Sequence, residues 1–432
     1  MIKPRKVSFE TLGCRYNRFE SAEMAYELEN AGFAAAGEGE TSDIVVINTC
    51  SVTSKSAARC RAAIRQARAQ NPGAVVVVAG CYSQTNPAEA AAEEGVGLVL
   101  GNVEKFELAN ALKEIGDGGA PAKVMVGSGT RPDYLPVRPV TSLEGRTNAY
   151  IKAQSGCDEE CSFCVVRIAR GKSVSARPDD VVAQVRLMAG KGVREVVFTG
   201  INLGQFGGGT GLCGLIKRTL DETSTERVRL SSINPQHVTD ELIELMASSP
   251  RICRHLHIPL QNGSDRILAA MRRPYTSGMY ETLLGKLAKA IPGIGIGADV
   301  MVGFPGETEE DFNATYSLIE RSPLMMLHVF TYSPREGTEA YSMKGRPPKK
   351  EAKARAAMLK KLSGQKRAEA GEKQVGGTLD ALVENTRDAA GNLKGFSDNY
   401  FPVTFKGPDS LMSAIVPVKI ISAGADGLSG AV

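Results

Sequence analysis

Three cysteines constrain this chain more than any other feature. Cys157, Cys161 and Cys164 stand as CxxxCxxC in the run GCDEECSFC, a spacing that lets three thiolates converge on one centre. Thiolate sulfur is the preferred ligand of iron–sulfur clusters, and three thiolates leave the fourth iron of a four-iron cluster open to a substrate or cofactor. A structural zinc site is the bland alternative, but zinc wants four ligands in paired spacings, and no fourth Cys or His lies nearby in the sequence.

At 432 residues the chain is long enough for about three domains of ordinary size. Nine cysteines is an odd number, unsuited to complete pairing. The start MIKPRKVSFE has no apolar core of a signal peptide, and the longest apolar stretches are far shorter than the ~20 residues of a membrane helix. The expectation is a cytoplasmic protein without disulfides or membrane contact.

Three segments follow one another. The first, residues 1–131, alternates apolar runs (KVSFETLGC, DIVVINTC, AVVVVAGC) with helical stretches, the pattern of an open parallel α/β domain. Cys14, Cys50 and Cys81 each end one of its predicted strands. In open parallel sheets those ends share an edge where ligands collect, so the three thiols are expected to converge as a second three-thiolate centre. Taken singly, each reads equally well as a small buried hydrophobe. Cys60 falls in a predicted helix; with Cys213 and Cys253 it is read as structural.

The second segment, residues 143–370, repeats strand then helix six times and predicts an incomplete (βα)6 barrel with its site at the C-terminal strand ends. The strands are AYIKAQ, REVVFTG, RVRLSSI, HLHIPLQ, IGADVMVG and MLHVFTYS. The cysteine loop follows the first. Gly200 ends the second, where a missing side chain admits a ligand or simply makes a turn. Gln261 closes the fourth, where it reaches a cofactor from the rim or caps the next helix. GFPGET, from Gly303, reads as a strand–helix turn with Thr308 near a helix start. QFGGGTG, from Gln205, lacks the Lys of a phosphate loop.

Net charge is only +4 but is unevenly spread: Lys344–Arg367 holds ten Lys or Arg against Glu351 alone. Good helix formers after Pro348 predict a basic helix, either a phosphate footprint or a solvated connector. The third segment, residues 371–432, is short-stranded and turn-rich and predicts a small antiparallel β-barrel. It carries five basic and seven acidic residues, so it is not itself a basic patch. Phe396, Tyr400 and Phe401 either stack on bases or pack a core.

The stretches TLGCRYNRFESAE, NTCSVTSKS, AGCYSQ, GCDEECSFCVVRIARGK, HIPLQNGSDRILAAMRR, VGFPGETEEDF and SPREGTEAYSM resemble the radical S-adenosylmethionine (SAM) methylthiotransferases. The family has an N-terminal cluster domain, a radical SAM domain and a terminal barrel called TRAM, and the resemblance covers nearly the whole chain. It implies two [4Fe-4S] clusters, on Cys14, Cys50 and Cys81 and on Cys157, Cys161 and Cys164. It also implies SAM chelated by the open iron of the second and cleaved to a 5′-deoxyadenosyl radical, Phe163 packed on its adenine, and a low-potential donor such as flavodoxin or ferredoxin. TCSVT and SDNYFPV look most like the branch that methylthiolates C2 of N6-threonylcarbamoyladenosine beside the tRNA anticodon. Neighbouring branches act on isopentenyladenosine in tRNA or on an aspartate of a ribosomal protein, and a non-catalytic iron–sulfur RNA-binding protein is the reading from another class. Arg167-Ile168 stands where the family commonly has Pro-Tyr, Phe206 where Tyr is common, and Tyr16 in a slot often smaller; no substrate contact is carried over from these positions.

Overall fold

The computed structural model describes residues 4–37, 39–51, 54–115, 122–127, 133–140 and 146–432. Val52 and Thr53 of the TCSVT run, and the expected boundaries at 131 and 143, lie outside these. The chain divides into two compact units, Met1–Ser142 with Ser155–Val174 and Ser333–Tyr341, and Leu143–Gln154 with Ser175–Tyr332 and Ser342–Val432.

The first unit is built on a six-stranded parallel sheet, β1 (Lys6–Thr11), β2 (Ala34–Ala35), β3 (Ile44–Thr49), β4 (Val75–Gly80), β5 (Val96–Leu100) and β6 (Lys123–Met125), in the order β2-β1-β3-β4-β5-β6. β3 and β4 read IVVINT and VVVVAG and are buried along their whole length, as central parallel strands covered on both faces must be. Successive side chains point to opposite faces. Ile44 and Val46 pack with Met24 and Leu28 of the helix Arg15–Asn30. Val45 and Ile47 pack with Ala57, Cys60 and Ile64 of the helix Ser54–Gln70.

The second unit carries the six expected parallel strands, β7 (Asn148–Ser155), β9 (Glu195–Gly200), β10 (Arg227–Leu230), β11 (His255–His257), β12 (Gly295–Val302) and β13 (Met326–Thr331), with a two-residue edge strand, β8 (Val174–Ser175). They form two ladders, β10-β9-β7-β8 and β11-β12-β13, and the bridges Val228↔Ile252 and Ser232↔His257 continue the first into the second. β10 and β11 are shorter than their apolar runs. Pro259, which has no N–H to give, lies just beyond β11.

The third segment closes as a five-stranded barrel, β14 (Thr378–Arg387), β15 (Leu393–Ser397), β16 (Pro402–Phe405), β17 (Ile415–Gly424) and β18 (Gly427–Ala431), in the order β14-β15-β16-β18-β17. Its pairings are antiparallel except β16–β18, a parallel pair. SDNY, at the end of β15, packs beneath the N-terminal ends of the large strands. Arg229, bidentate to Glu195 at 2.9 and 3.0 Å, also donates to the Ser397 and Asp398 carbonyls. Arg254 pairs with Asp398 at 2.6 Å. Tyr400, at φ +73, stacks on His255 and Phe396, and Phe401 lies in the small core. The aromatic residues considered for base stacking are thus spent on this seam and core.

The basic helix, Lys349–Glu372, buries Ala352, Arg355, Leu359 and Leu362. Arg355 is committed to Glu307 (2.7 Å), and Lys366 caps the helix Glu309–Arg321 by donating to the Glu320 and Ser322 carbonyls. Lys349, Lys350, Lys353, Lys360 and Lys361 stay exposed; at 3.6 residues per turn they fall within an arc of about 120° opposite the buried stripe. No helix among the described residues is long and apolar enough to cross a membrane.

Candidate functional site

Cys50 follows β3 directly, Cys81 follows β4 and opens the helix Cys81–Thr85, and Cys14 is the N-cap of the helix after β1. β1, β3 and β4 are adjacent and parallel, so the three thiols share one sheet edge, as the strand-end pattern predicts. Cys50 and Cys81 are buried and Cys14 is exposed. Thr49 ties the strand tips together, its Oγ1 donating to the Ala79 carbonyl (2.6 Å) and accepting from Tyr82 N (3.2 Å). Cys60 is also buried nearby. Its thiol donates to the Cys50 carbonyl (3.4 Å), and burial pushes its pKa up to about 12, so it remains a protonated thiol.

A signal for this arrangement was present in the sequence and missed: Cys14, Cys81 and Cys157 each follow a glycine at positive φ, +103 at Gly13, +101 at Gly80 and +73 at Gly156. The turn that aims each thiol requires that region of backbone, and the space is also taken. A Cβ on Gly13 would meet Cys50 Sγ at 2.9 Å, and one on Gly156 would meet the Lys172 carbonyl oxygen at 1.9 Å.

The CxxxCxxC loop belongs to the same compact unit as the first triad. It is a closed turn: Cys157 N donates to Gly171 O (3.0 Å), Cys164 N to Cys161 O (3.1 Å), Ser173 N to Asp158 Oδ1 (2.9 Å), and Ala340 N to Ser162 O (2.8 Å). Arg167, in place of the common Pro, pairs with Glu160 across the loop, and Ile168 is exposed. Phe163 is half-buried between the second and third cysteines. The helix Val166–Arg170 leaves the loop and packs against Cys81–Thr85.

Arg170 ends in the interior of this unit. It donates to Glu20 Oε1 (3.0 Å), Glu20 Oε2 (2.9 Å) and Asn17 Oδ1 (2.9 Å), with its guanidinium 4.5 Å from the ring of buried Tyr16. Lys105, fully buried, donates to the same Glu20 (2.6 Å) and to Asn102 Oδ1 (2.9 Å). Asn102 Nδ2 donates in turn to Ala169 O (2.8 Å) and to Cys81 Sγ (3.7 Å). Lys105 and Asn102 lie outside every stretch that the sequence singles out.

Among the described residues, the His, Cys, Asp or Glu trio whose ligand atoms lie within 4.8 Å of one another is His257, Asp299 and His328. Neither cysteine triad is so tight. The three-thiolate donor set of each triad suits an iron–sulfur cluster with one open iron better than a four-ligand zinc site. In the second unit, His257 Nε2 lies 3.0 Å and His328 Nδ1 3.4 Å from Asp299 Oδ1 on three neighbouring strands. Desolvation raises the Asp299 pKa, but the two imidazoles outweigh it and hold the carboxyl well below its ordinary range.

Gly200 and Gln261 belong to the second unit. The Cβ position of Gly200 faces Gln154 Oε1 at 3.0 Å and Leu203 Cα at 3.1 Å, so the chain's own turn occupies that space. Gln261 lies beyond β11 at φ +64, bridged to Val300; the N-cap of the next helix is Ser264. Phe206 is buried. Thr308 caps the helix Glu309–Arg321 through a capping box with Asp311, as GFPGET predicts.

Residues 6–101 match the family described as "Uncharacterized protein family UPF0004", and residues 151–319 match the radical SAM superfamily. The threonylcarbamoyladenosine tRNA methylthiotransferase MtaB of Bacillus subtilis is 36% identical, the match covering 97% of this chain and 94% of the relative. The protein of the same name from Aquifex aeolicus is 40% identical, covering 88% and 92%. A tRNA-2-methylthio-N(6)-dimethylallyladenosine synthase of Geobacter sulfurreducens is 33% identical, covering 97% and 96%. Among solved structures, the radical SAM methyltransferase TsrM of Kitasatospora setae shares the fold, with a TM-score of 0.58 at 19% identity over 78% of this chain and 77% of that one. Two cysteine triads in one compact unit, a six-stranded parallel half-barrel, a closed terminal barrel and full-length relatives agree: the chain belongs to the radical SAM methylthiotransferase family.

Proposed function

We propose that this protein methylthiolates C2 of N6-threonylcarbamoyladenosine beside the anticodon of tRNA. It uses SAM and two [4Fe-4S] clusters, held by Cys157, Cys161 and Cys164 and by Cys14, Cys50 and Cys81. The observation that carries this reading is the pairing of the two triads within one compact unit, the first on the sheet edge of β1, β3 and β4 and the second on a closed loop. The choice of nucleoside is supported by the full-length relatives from B. subtilis and A. aeolicus.

When bound, the cofactors supply a carbon-centred radical at one triad and a methylated sulfur at the other, which an aromatic carbon without an acidic proton or leaving group requires. The chain's own residues position and exclude. Gly13, Gly80 and Gly156 aim the thiols, Cys60 turns its thiol to the Cys50 carbonyl, and Phe163 offers a ring face beside its triad for the cofactor's adenine. In the second unit Gly200, at the end of β9, and Gln261, beyond β11, are the positions at which backbone and rim are to approach the cofactor. The five exposed lysines of Lys349–Glu372 supply phosphate contacts, which fix register without reading sequence. The division into residues 1–131, 143–370 and 371–432 assigns these tasks to a sulfur-carrying, a radical and an RNA-anchoring part. A low-potential flavodoxin or ferredoxin is to reduce the clusters.

The test is mass spectrometry of nucleosides from tRNA of a strain lacking the gene, incubated anaerobically with reconstituted protein, reductant and SAM. A methylthio form of threonylcarbamoyladenosine supports the reading. Methylthio-isopentenyladenosine keeps the reaction and replaces the nucleoside. Cofactor cleavage without any modified nucleoside overturns the choice of tRNA in favour of a protein substrate.

A further inference from the structure

Two buried cations, Lys105 and Arg170, share the single carboxylate of Glu20. Lysine is almost never fully buried unless it is paired, and one carboxylate between two cations is an incomplete match in a medium of low dielectric. Glu23, the other buried carboxylate of this helix, accepts from Arg138 N (3.0 Å). One arm of the network ends at sulfur. Asn102, fixed by Lys105 at its oxygen and by the Ala169 carbonyl at its nitrogen, directs Nδ2 at Cys81 Sγ (3.7 Å). Asn17 carries no such hydrogen bond: its oxygen accepts from Arg170 and, at 3.8 Å, from the Cys14 thiol, while its nitrogen donates to the Leu12 and Thr49 carbonyls.

We propose that Lys105, with Asn102, Glu20 and Arg170, is a positioning and charge-compensating assembly for the thiolate of Cys81. This rests on the reading that the first triad holds a cluster. Hydrogen bonds to ligand sulfur and nearby positive charge both favour the reduced, more negative form of a bound cluster, and partners behind the ligands hold the metal in place. The assembly therefore raises the reduction potential of what the triad holds and slows its loss. Arg170 stands six residues beyond Cys164, so it also fixes the helix leaving the second triad to the helix that Cys14 caps. Neither Lys105 nor Asn102 touches substrate; both act through Cys81.

The test uses the full chain with Cys157, Cys161 and Cys164 replaced by alanine, reconstituted anaerobically with iron and sulfide, so that only the first triad can bind. Lys105→Met leaves Glu20 paired one to one with Arg170, and Asn102→Ala removes the hydrogen bond to sulfur without touching a charge. Each is expected to shift the equilibrium between cluster oxidation states about tenfold toward the oxidised form, roughly 59 mV more negative for one electron. Each is also expected to speed iron release to a chelator by about tenfold or more, while Lys105→Arg restores both. Potentials and release rates unchanged in both variants overturn the assembly's role and leave the cluster reading intact. If the parent with the first triad alone binds no iron, the cluster reading falls and this inference with it.

Discussion

Gly13 lies directly against Cys50: a Cβ built on it would sit 2.6 Å from Cys50 Cβ and 2.9 Å from Cys50 Sγ. The residue before one cysteine of the triad is thus shaped by another, 37 positions away. Gly13→Ala should push Cys50 off the sheet edge and add backbone strain of about 1–3 kcal/mol at φ +103. The expected result is loss of the iron held by the first triad with the second retained, read by iron analysis of the reconstituted protein. Gly156→Ala should do the reverse.

Cys50→Ala should abolish the methylthio nucleoside, and Cys213→Ala should leave it. Cys213 is half-buried in the helix Gly211–Glu222, outside the first unit. Nucleoside mass spectrometry reads both. Full product from Cys50→Ala would sink the two-triad scheme.

Charge reversal at Lys349, Lys350, Lys360 and Lys361 should weaken tRNA binding and flatten its salt dependence, by about 0.7–0.9 in the log–log slope for each phosphate that is no longer neutralised. Filter binding across a salt series measures it. An unchanged slope would make the lysine face a solvated surface only.

Arg355 looks from the sequence like one more cation of that helix, yet its role is internal. Arg355→Ala strands Glu307, whose side chain is fully buried, and should cost about 3–5 kcal/mol. Denaturant unfolding should show this loss, with little change at Lys360→Ala.

Asp311 titrates at about 2. Desolvation raises its pKa, but hydrogen bonds from Ser264 Oγ (2.6 Å) and Thr308 N (2.8 Å), together with Arg266, outweigh it. The folded value lies below the unfolded one of about 3.9, so its contribution to stability is complete above about pH 4 and is lost as pH falls through about 2. Asp311→Asn should therefore destabilise the protein at neutral pH and converge on the parent in acid, as thermal melts across pH would show.

Much of this was legible in order along the chain. Continuous apolar runs marked β3 and β4, the six strand–helix units marked the half-barrel, and strand-end placement brought Cys14, Cys50 and Cys81 to one edge. What local pattern could not carry was pairing at a distance. Glu20 meets Lys105 across 85 positions and Arg170 across 150, and nothing in the sequence marks the three as partners. His257, Asp299 and His328 look unrelated until three strands align. SDNYFPV was readable as a motif but not as a seam, because its partners Arg229, Arg254 and His255 lie far upstream. Of ten cations between Lys344 and Arg367, seven face solvent, while Arg355 is buried on Glu307 and Lys366 is spent on two carbonyls.

The seam beneath the half-barrel changes what the small terminal barrel can measure. A domain on a flexible tether explores a volume, and its reach is a statistical average. Here SDNY is locked under the first residues of β9 to β12, so the small barrel stands off from the strand tips by a strand's length, about 25 Å for the eight residues of β12. Any ligand touching both ends of that unit is gauged against a fixed span, as by a pair of calipers, and one too short to bridge it is held at one end only.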